Sequence, residues 1–298
     1  MTTGNAVHSR GFEARRALRS GFTYLVMIIL AIIFLFPIVF MLVTSIKVNE
    51  MQILSDISTL YAFIPRGELG LDNYRAVFTN LDFGRMLFNS AFIMIVTVLL
   101  GLVVNSMIAY ALSRLNFKGR GLLLGIIVAL IIVPFEAVAV PLLLVVNNLP
   151  WFGGATTWLD TYHVQIIPFI ADAFSIFLFY QFFIGIPKEL EEAALVDGAS
   201  RFRIYWQVIV PLSKPVFATV AILTALANWN RFMWPLMVTR GVEVRPLTVG
   251  MQTFFGQDPR IWGDLLAFAS LITIPVLIVF LIFQKWFVQS VASTGIKG

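Results

Sequence analysis

Long uncharged stretches dominate the chain. Residues 22–44 contain no charged side chain, and as a helix they would extend about 34 Å, enough to cross the hydrocarbon core of a bilayer. Comparable apolar stretches predict five further spans near residues 89–113, 121–146, 163–185, 212–234 and 265–283. Transmembrane strands would be shorter and would alternate in polarity, so these spans are predicted to be α-helices. The pattern predicts an all-α polytopic membrane protein with six transmembrane helices.

The composition excludes several classes of protein. Hydrophobic residues make up 59% of the chain and charged residues 12%, whereas about a quarter of a soluble domain is charged. The mean hydropathy of +0.89 agrees, so a water-soluble globular protein is excluded. Without cysteine, disulfides and thiolate sites are also excluded. No basic tract indicates nucleic acid, and no His, Asp or Glu cluster has the spacing of a metal site.

The basic residues predict the orientation. The formal charge is +5, and cytoplasmic loops of membrane proteins are enriched in Lys and Arg. We expect residues 1–21 to be a cytoplasmic segment, 22–287 a single transmembrane domain whose first span is uncleaved, and 288–298 a cytoplasmic tail. The predicted cytoplasmic segments then hold Arg10, Arg15, Arg16, Arg19, Arg114, Lys118, Arg120, Lys188, Arg201, Arg203, Lys214, Lys285 and Lys297.

The cytoplasmic loop over residues 187–211 begins with the pattern of a short helix. Pro187 suits a first helical position, and Gly198 fits a C-terminal cap. Three acidic residues favour the positive end of the helix dipole, namely Glu189, Glu191 and Glu192.

A second short helix is predicted to follow. Ser200 can cap it, Pro211 would close it, and four apolar residues have helical spacing, namely Phe202, Tyr205, Trp206 and Ile209. Such an elbow would either dock a cytoplasmic partner and pass its motion to the helices, or lie on the lipid headgroups as an amphipathic loop.

The same loop resembles a known motif. Glu192-Ala193-Ala194, three residues, Gly198, nine residues and then Val208-Ile209-Val210-Pro211 resembles the EAA loop of the membrane subunits of bacterial ATP-binding-cassette (ABC) importers, whose pattern is EAA, x3, G, x9, I, x, L, P. Valine replaces the isoleucine and leucine of that pattern, and both changes are apolar swaps of similar shape.

Other segments extend the resemblance over about residues 15–298. GLDNY at 70–74, RLNFKGR at 114–120, WNRFMWP at 229–235, LTVGM at 247–251 and TGIKG at 294–298 are similar to the second (G-type) permease of maltose-type carbohydrate importers. This resemblance implies the type I ABC importer permease fold in a bacterial inner (plasma) membrane. It also implies a sister permease, two cytoplasmic ATPase subunits, an extracytoplasmic solute-binding protein and a sugar or polyol substrate.

The chain itself is expected to be non-catalytic. It contains no GxxxxGK[ST] phosphate loop, and the resemblance implies that ATP and Mg are bound by the partner ATPase, with no cofactor on this chain. The resemblance assigns ATPase coupling to the EAA loop, where the candidate residues are Glu191, Glu192, Ala193, Ala194, Asp197, Gly198 and Pro211. It further implies that the loop at about 235–264 enters the cleft of the binding protein, the alternative being a connector that packs on its own helices.

Polar residues within the predicted spans are candidates for the substrate pathway. Ionisable groups in a membrane usually face the bundle interior or a wet cavity, which applies to Glu136 and Asp172. Asn228, Trp229 and Asn230 offer the amide and aromatic groups that suit a sugar. The alternative for all five is hydrogen bonding between helices or contact with the sister subunit.

Three hypotheses for the function of the chain follow from these features. The EAA pattern favours a permease that couples ATPase motion to alternating access. An ion-coupled secondary transporter would use Glu136 and Asp172, but we see no repeat-related halves. A membrane scaffold without transport is the third possibility, and the EAA pattern argues against both rivals.

Overall fold

The computed structural model describes residues 5–151, 154, 156–256 and 259–294. Most of these residues are helical, and they contain no β-strand. This confirms the predicted all-α class. Contacts divide the chain into two compact units, Met1–Thr79 with Gln257–Leu271, and Asn80–Gly256 with Ile272–Gly298.

The first unit begins with the first predicted span. Helix α1 (Asn5–Ser45) contains the stretch Ser20–Ser45, which is long and apolar enough to cross a membrane. The chain then forms α2 (Glu50–Asp56), a 3-10 turn (Leu60–Phe63) and α3 (Asp72–Asn80).

A buried ionic group holds this segment together. The Nζ atom of Lys47 lies 2.8 Å from Oδ2 of Asp56 and also donates to the carbonyl oxygen of Tyr61. Arg66 bonds to the other carboxylate oxygen of Asp56. Because Lys47 and Asp56 are both almost fully buried, each needs the other as a counter-charge.

The last helix also starts in this unit. The carboxylate of Glu50 accepts hydrogen bonds from the backbone nitrogens of Trp262, at 2.9 Å, and Gly263, at 3.3 Å. Glu50 therefore satisfies free N–H groups at the start of α15 (Trp262–Thr294). The sixth predicted span lies in this helix, whose described apolar stretch is Trp262–Ile278.

The second unit is built on two further long spans. Helix α4 (Phe83–Arg114) is the second predicted span. The fourth consists of α7 (Tyr162–Ile166), a 3-10 turn (Ile167–Phe169) and α8 (Ala173–Ile184), which together form one candidate span. Between these helices and α12 (Lys214–Trp229) lies a core that includes Ala109, Tyr110, Leu112, Ile176, Phe179, Phe183, Ile204, Ile209, Val216 and Val220.

The third predicted span is not one continuous helix. Helices α5 (Arg120–Ile132) and α6 (Phe135–Asn147) meet at 104°. Pro134 has no N–H to donate and disfavours helical geometry in the residue before it, and Val133 is accordingly extended, with ψ of 114°. Proline is tolerated in many membrane helices, so the presence of Pro134 alone could not reveal this break.

The fifth predicted span is also bent. The helical segment Arg201–Leu212 meets α12 at 80°, so the span predicted to begin at residue 212 starts at Lys214. The helix ends at Trp229 rather than at residue 234, and the chain continues through α13 (Met233–Val238) and α14 (Leu247–Phe255).

Candidate functional site

The loop between α8 and α12 contains the short helix α9 (Glu189–Val196). Gly198 follows it with a positive φ of 79°. The N–H of Ala199 donates to the carbonyl of Ala194 at 2.9 Å, and the N–H of Gly198 donates to that of Leu195 at 3.0 Å. These two bonds form a Schellman cap, so the predicted glycine cap is confirmed. The prediction for Pro187 was wrong, because Lys188 is the N-cap and the helix begins at Glu189.

The second helix begins where the sequence predicts. The hydroxyl of Ser200 accepts a hydrogen bond from the N–H of Arg203 at 3.2 Å. The segment then forms α10 (Arg201–Ile204), a π-helical turn (Tyr205–Ile209) and α11 (Val210–Leu212), which contains Pro211. A π turn inside a helix is rare and is frequent at functional sites.

The two helices bury one side and expose the other. Ile204, Tyr205 and Ile209 are buried, whereas Phe202 and Trp206 are exposed. The predicted coupling residues Glu192, Ala193, Asp197 and Gly198 are also exposed, and Ala194 is half-buried.

Apolar side chains extend this exposed face. Val196 is 89% exposed, and Leu190 and Leu195 are exposed as well. We call the face formed by Leu190, Glu192, Ala193, Leu195, Val196, Asp197 and Gly198 the outer face of α9. Apolar groups gathered on a short polar-flanked helix are typical of a contact surface.

Glu191 does not belong to this outer face. Its side chain is 5% exposed, and its Oε1 atom lies 3.0 Å from Nε of Arg114 at the end of α4. Sequence reasoning placed Glu191 among the ATPase-coupling residues and did not identify Arg114 as its partner. The two residues are far apart in sequence, so no local pattern joins them.

The candidate pathway residues do not form one site. Glu136 is exposed in the first turn of α6. Asp172 is the N-cap of α8, where its Oδ2 atom accepts from the backbone nitrogen and the hydroxyl of Ser175 at 2.8 and 2.7 Å. The backbone nitrogen of Asp172 donates to Asn105 of α4 at 2.9 Å. Asp172 therefore serves as a helix cap and helix-to-helix contact.

The three candidates at the end of α12 differ in their surroundings. Trp229 is buried. Asn228 accepts a hydrogen bond at 3.0 Å from Arg231, whose guanidinium carbon lies 3.4 Å from the ring centre of Phe169. Sequence reasoning missed Arg231, although a cation within a predicted span is itself a signal.

Asn230 lines an open cavity of about 550 Å³. The other lining residues combine aromatic, aliphatic and polar groups, namely Phe232, Thr248, Met251, Gln252, Phe255 and Ile272. Of the five pathway candidates, only Asn230 reaches this cavity.

The connector between α13 and α14 is fixed to the helices of its own unit. The amide of Asn89 donates to the carbonyls of Val242 and Arg245, at 3.3 and 2.9 Å. Gln165 donates to the carbonyl of Val244 at 2.8 Å, and Ser90 accepts from Leu247. Residues 242–247 of the predicted loop at 235–264 are thus held by helices of their own unit. Positions 257 and 258 of that loop lie outside the described residues.

In the part of the chain that the structure describes, no group of three or more His, Cys, Asp or Glu residues could hold a metal ion.

Comparison with known proteins gives consistent matches. The model of the family "Binding-protein-dependent transport system inner membrane component" matches residues 98–293. The chain is 32% identical over 270 residues to the arabinooligosaccharides transport system permease protein AraQ of Halalkalibacterium halodurans, covering 90% of this chain and 93% of AraQ. It is 33% identical over 276 residues to the trehalose/maltose transport system permease protein MalG of Thermococcus litoralis, covering 91% and 94%.

A solved structure matches over nearly the whole chain. It is a chain of a bacterial ABC transporter involved in the import of the acidic polysaccharide alginate, 26% identical to this one. The TM-score is 0.75, and the match covers 94% of this chain and 98% of that chain.

Proposed function

This chain belongs to the family of binding-protein-dependent transport system inner membrane components, and on that premise we propose that it is the permease subunit of an ATP-driven importer of a sugar or related polyol. Relatives named for arabinooligosaccharide and for trehalose/maltose transport support a carbohydrate substrate. The solved relative involved in alginate import supports the same class. An ion-coupled transporter that uses Glu136 and Asp172 is not supported, because the family is one of binding-protein-dependent transporters and Asp172 serves as a helix cap.

The outer face of α9 is the proposed docking surface for the ATPase. The observation that supports this role is that Glu192, Ala193, Asp197 and Gly198 are exposed together beside Val196. Small alanines permit close approach of a partner groove, and exposed apolar area gives the contact its affinity. Glu191 lies on the buried side of the same helix, where it pairs with Arg114 of α4. Pro211 lies at the end of the second helix.

The remaining partners follow from this role. A sister permease would complete the transport path, two ATPase subunits would bind ATP and Mg, and a solute-binding protein would deliver the substrate from outside. Closure of the ATPases changes the relative free energies of two bundle states, which is how a partner shifts a conformational equilibrium. Both termini are then cytoplasmic in a bacterial inner membrane, in agreement with the distribution of basic residues.

The first test is to purify the chain in mild detergent from its native membrane and to identify the bound proteins by mass spectrometry. We expect an ATPase, a second permease and a solute-binding protein. In proteoliposomes, uptake of the binding protein's ligand should require ATP. A chain that purifies alone and transports a solute along a proton or sodium gradient would contradict the proposal.

Gly198→Val tests the docking surface directly. Gly198 has open space around it but a φ of 79°, which a β-branched residue adopts only with strain. The cap should therefore distort, and we expect both ATPase co-purification and ATP-dependent uptake to be lost while the chain remains in the membrane. Gly119→Val is the matched control, because Gly119 has a φ of 88°, open space and a position outside the loop. Equal losses in both variants would indicate general strain instead of a docking defect.

A further inference from the structure

Arg114 joins three helix ends in the second unit. It is the last residue of α4. Its Nη2 atom donates to the carbonyl oxygens of Phe183 and Ile186, the latter at 2.6 Å, where α8 ends. Its Nε atom lies 3.0 Å from Oε1 of Glu191, in the first turn of α9, as an ion pair. A cation at the carboxyl ends of two helices and an anion in the first turn of a third both match the helix dipoles.

Both residues of the Arg114–Glu191 pair are buried. The side chains of Arg114 and Glu191 are 2% and 5% exposed. Arg201 is the other cation near Glu191, but its Nη1 atom is 3.9 Å from Oε2 and its side chain is half exposed. Loss of one partner of a buried pair leaves an uncompensated charge, so the loop can move away from α4 only at a high cost.

A second contact joins the same elements deeper in the unit. The hydroxyls of Tyr205, in the π turn, and Ser106, in α4, lie 2.6 Å apart. The hydroxyl of Tyr110 donates to the carbonyl of Arg201. Both short helices of the loop are therefore attached to the last turns of α4.

Helix α4 is a long element that reaches a second attachment at its other end. It has 32 residues, about 48 Å of helix. Asn89 and Ser90, near its start, hold the connector between α13 and α14 through three hydrogen bonds. A displacement applied at Arg114 can thus travel along one rigid helix to that connector.

We infer that Arg114 and Glu191 are positioning residues that fasten the coupling loop to α4, so that α4 carries the loop's movement through the second unit. The inference rests on the proposed function, since it names the element that receives the ATPase's motion. Glu191 then acts within the chain, whereas its neighbour Glu192 faces the partner.

The test compares Glu191→Gln with Glu189→Gln in reconstituted complexes. Glu189 has the same side chain in the same helix but is exposed. We expect Glu191→Gln to retain the ATPase and to hydrolyse ATP, while the number of ATP molecules hydrolysed per solute imported rises about tenfold, within the usual range of coupling free energies. Glu189→Gln should keep the wild-type ratio.

Two results would overturn the inference. One is a wild-type ratio in Glu191→Gln. The other is loss of the ATPase from Glu191→Gln to the same extent as from Glu192→Gln, which would make Glu191 a docking residue. If wild-type complexes import nothing on ATP addition, the proposed function fails instead.

A second variant covers failure of Glu191→Gln to fold. The double substitution Arg114→Met with Glu191→Leu leaves neither charge buried alone, and such replacements are often neutral for stability. If Arg114 and Glu191 only stabilised the fold, this variant would fold and couple ATP hydrolysis to import normally. We expect it to assemble and hydrolyse ATP with the raised ratio, and a wild-type ratio in it would also overturn the inference.

Discussion

Asp56 lies between two cations, and its ionisation makes the stability of the first unit depend on pH. Its carboxylate accepts hydrogen bonds from Arg66 and Lys47, and these contacts hold the pKa of Asp56 well below its usual range, Arg66 having the larger effect. The unfolded value is about 3.9. Because the folded pKa is lower, the stabilisation is fully present above the unfolded pKa and declines as the pH falls towards the folded pKa.

We expect Asp56→Asn to lower the thermal unfolding temperature of the purified complex at neutral pH. Lys47 would remain buried without its counter-charge. The difference from wild type should shrink below about pH 4, where the unfolded chain gains its proton. Differential scanning fluorimetry over a pH series measures both effects.

Asp72→Asn is the matched control for this prediction. Asp72 pairs with Arg75 at 3.2 Å, but both side chains are exposed, and exposed pairs contribute little. A difference for Asp56→Asn that stays constant at acid pH, or an equal effect of Asp72→Asn, would contradict the assignment.

Residue roles could be predicted only where the signal is local. Gly198 and Ser200 act within a few residues of their own positions, and both were predicted as helix caps. Glu191 and Glu192 are adjacent and chemically identical, yet one faces Arg114 and the other is exposed. Successive helix positions differ by about 100° in direction, so the choice depends on where the rest of the chain lies.

At the scale of elements, the connector between α13 and α14 illustrates how irregular backbone is held. Residues 239–246 form neither helix nor strand, so their polar groups need other partners. Asn89 supplies two of these bonds, and its own Oδ1 atom accepts from the hydroxyl of Tyr162 at 2.6 Å. Asn89 is fully buried, so the loss of any of these hydrogen bonds would leave a buried polar group unsatisfied, at a cost in free energy.

We therefore expect Asn89→Ala to loosen this connector. Loss of a buried hydrogen-bond partner costs about 1–3 kcal/mol, so amide hydrogen exchange in residues 242–247 should accelerate by about fivefold or more, with α4 itself little changed. Mass-spectrometric exchange in nanodiscs resolves the segment. Asn148→Ala is the control, since Asn148 is exposed and donates only to the carbonyl of Leu144 in its own helix. Unchanged exchange in Asn89→Ala would show that the connector is held by other contacts.

The bends of the elements were harder to predict than their existence. The third and fifth apolar stretches exist as helices, but angles of 104° and 80° interrupt them. Pro134 explains the first break after the fact. Proline is tolerated in many membrane helices because neighbouring groups satisfy the freed backbone, so its presence alone did not distinguish a kink from a break.

For the whole molecule, the predicted number of six membrane crossings requires that each bent pair of helices crosses the membrane once. Three described helices meet the length and composition of a span, and five do so if each bent pair is one span. Helix α15 supplies the sixth apolar element. Hydropathy predicts how many apolar elements there are, whereas the path of a bent pair depends on packing that composition does not encode.

Because the chain has no cysteine, single-cysteine variants can establish that path. We expect Asn147→Cys, at the end of α6, and Arg240→Cys, after α13, to react with a membrane-impermeant maleimide in intact spheroplasts. Lys118→Cys and Asp197→Cys should react only after the membrane is opened. All four positions are exposed, so accessibility reports the side of the membrane. If Asn147→Cys reacts only in opened membranes, α5 and α6 form a re-entrant loop, and the proposed alternation of sides, with both termini in the cytoplasm, is contradicted.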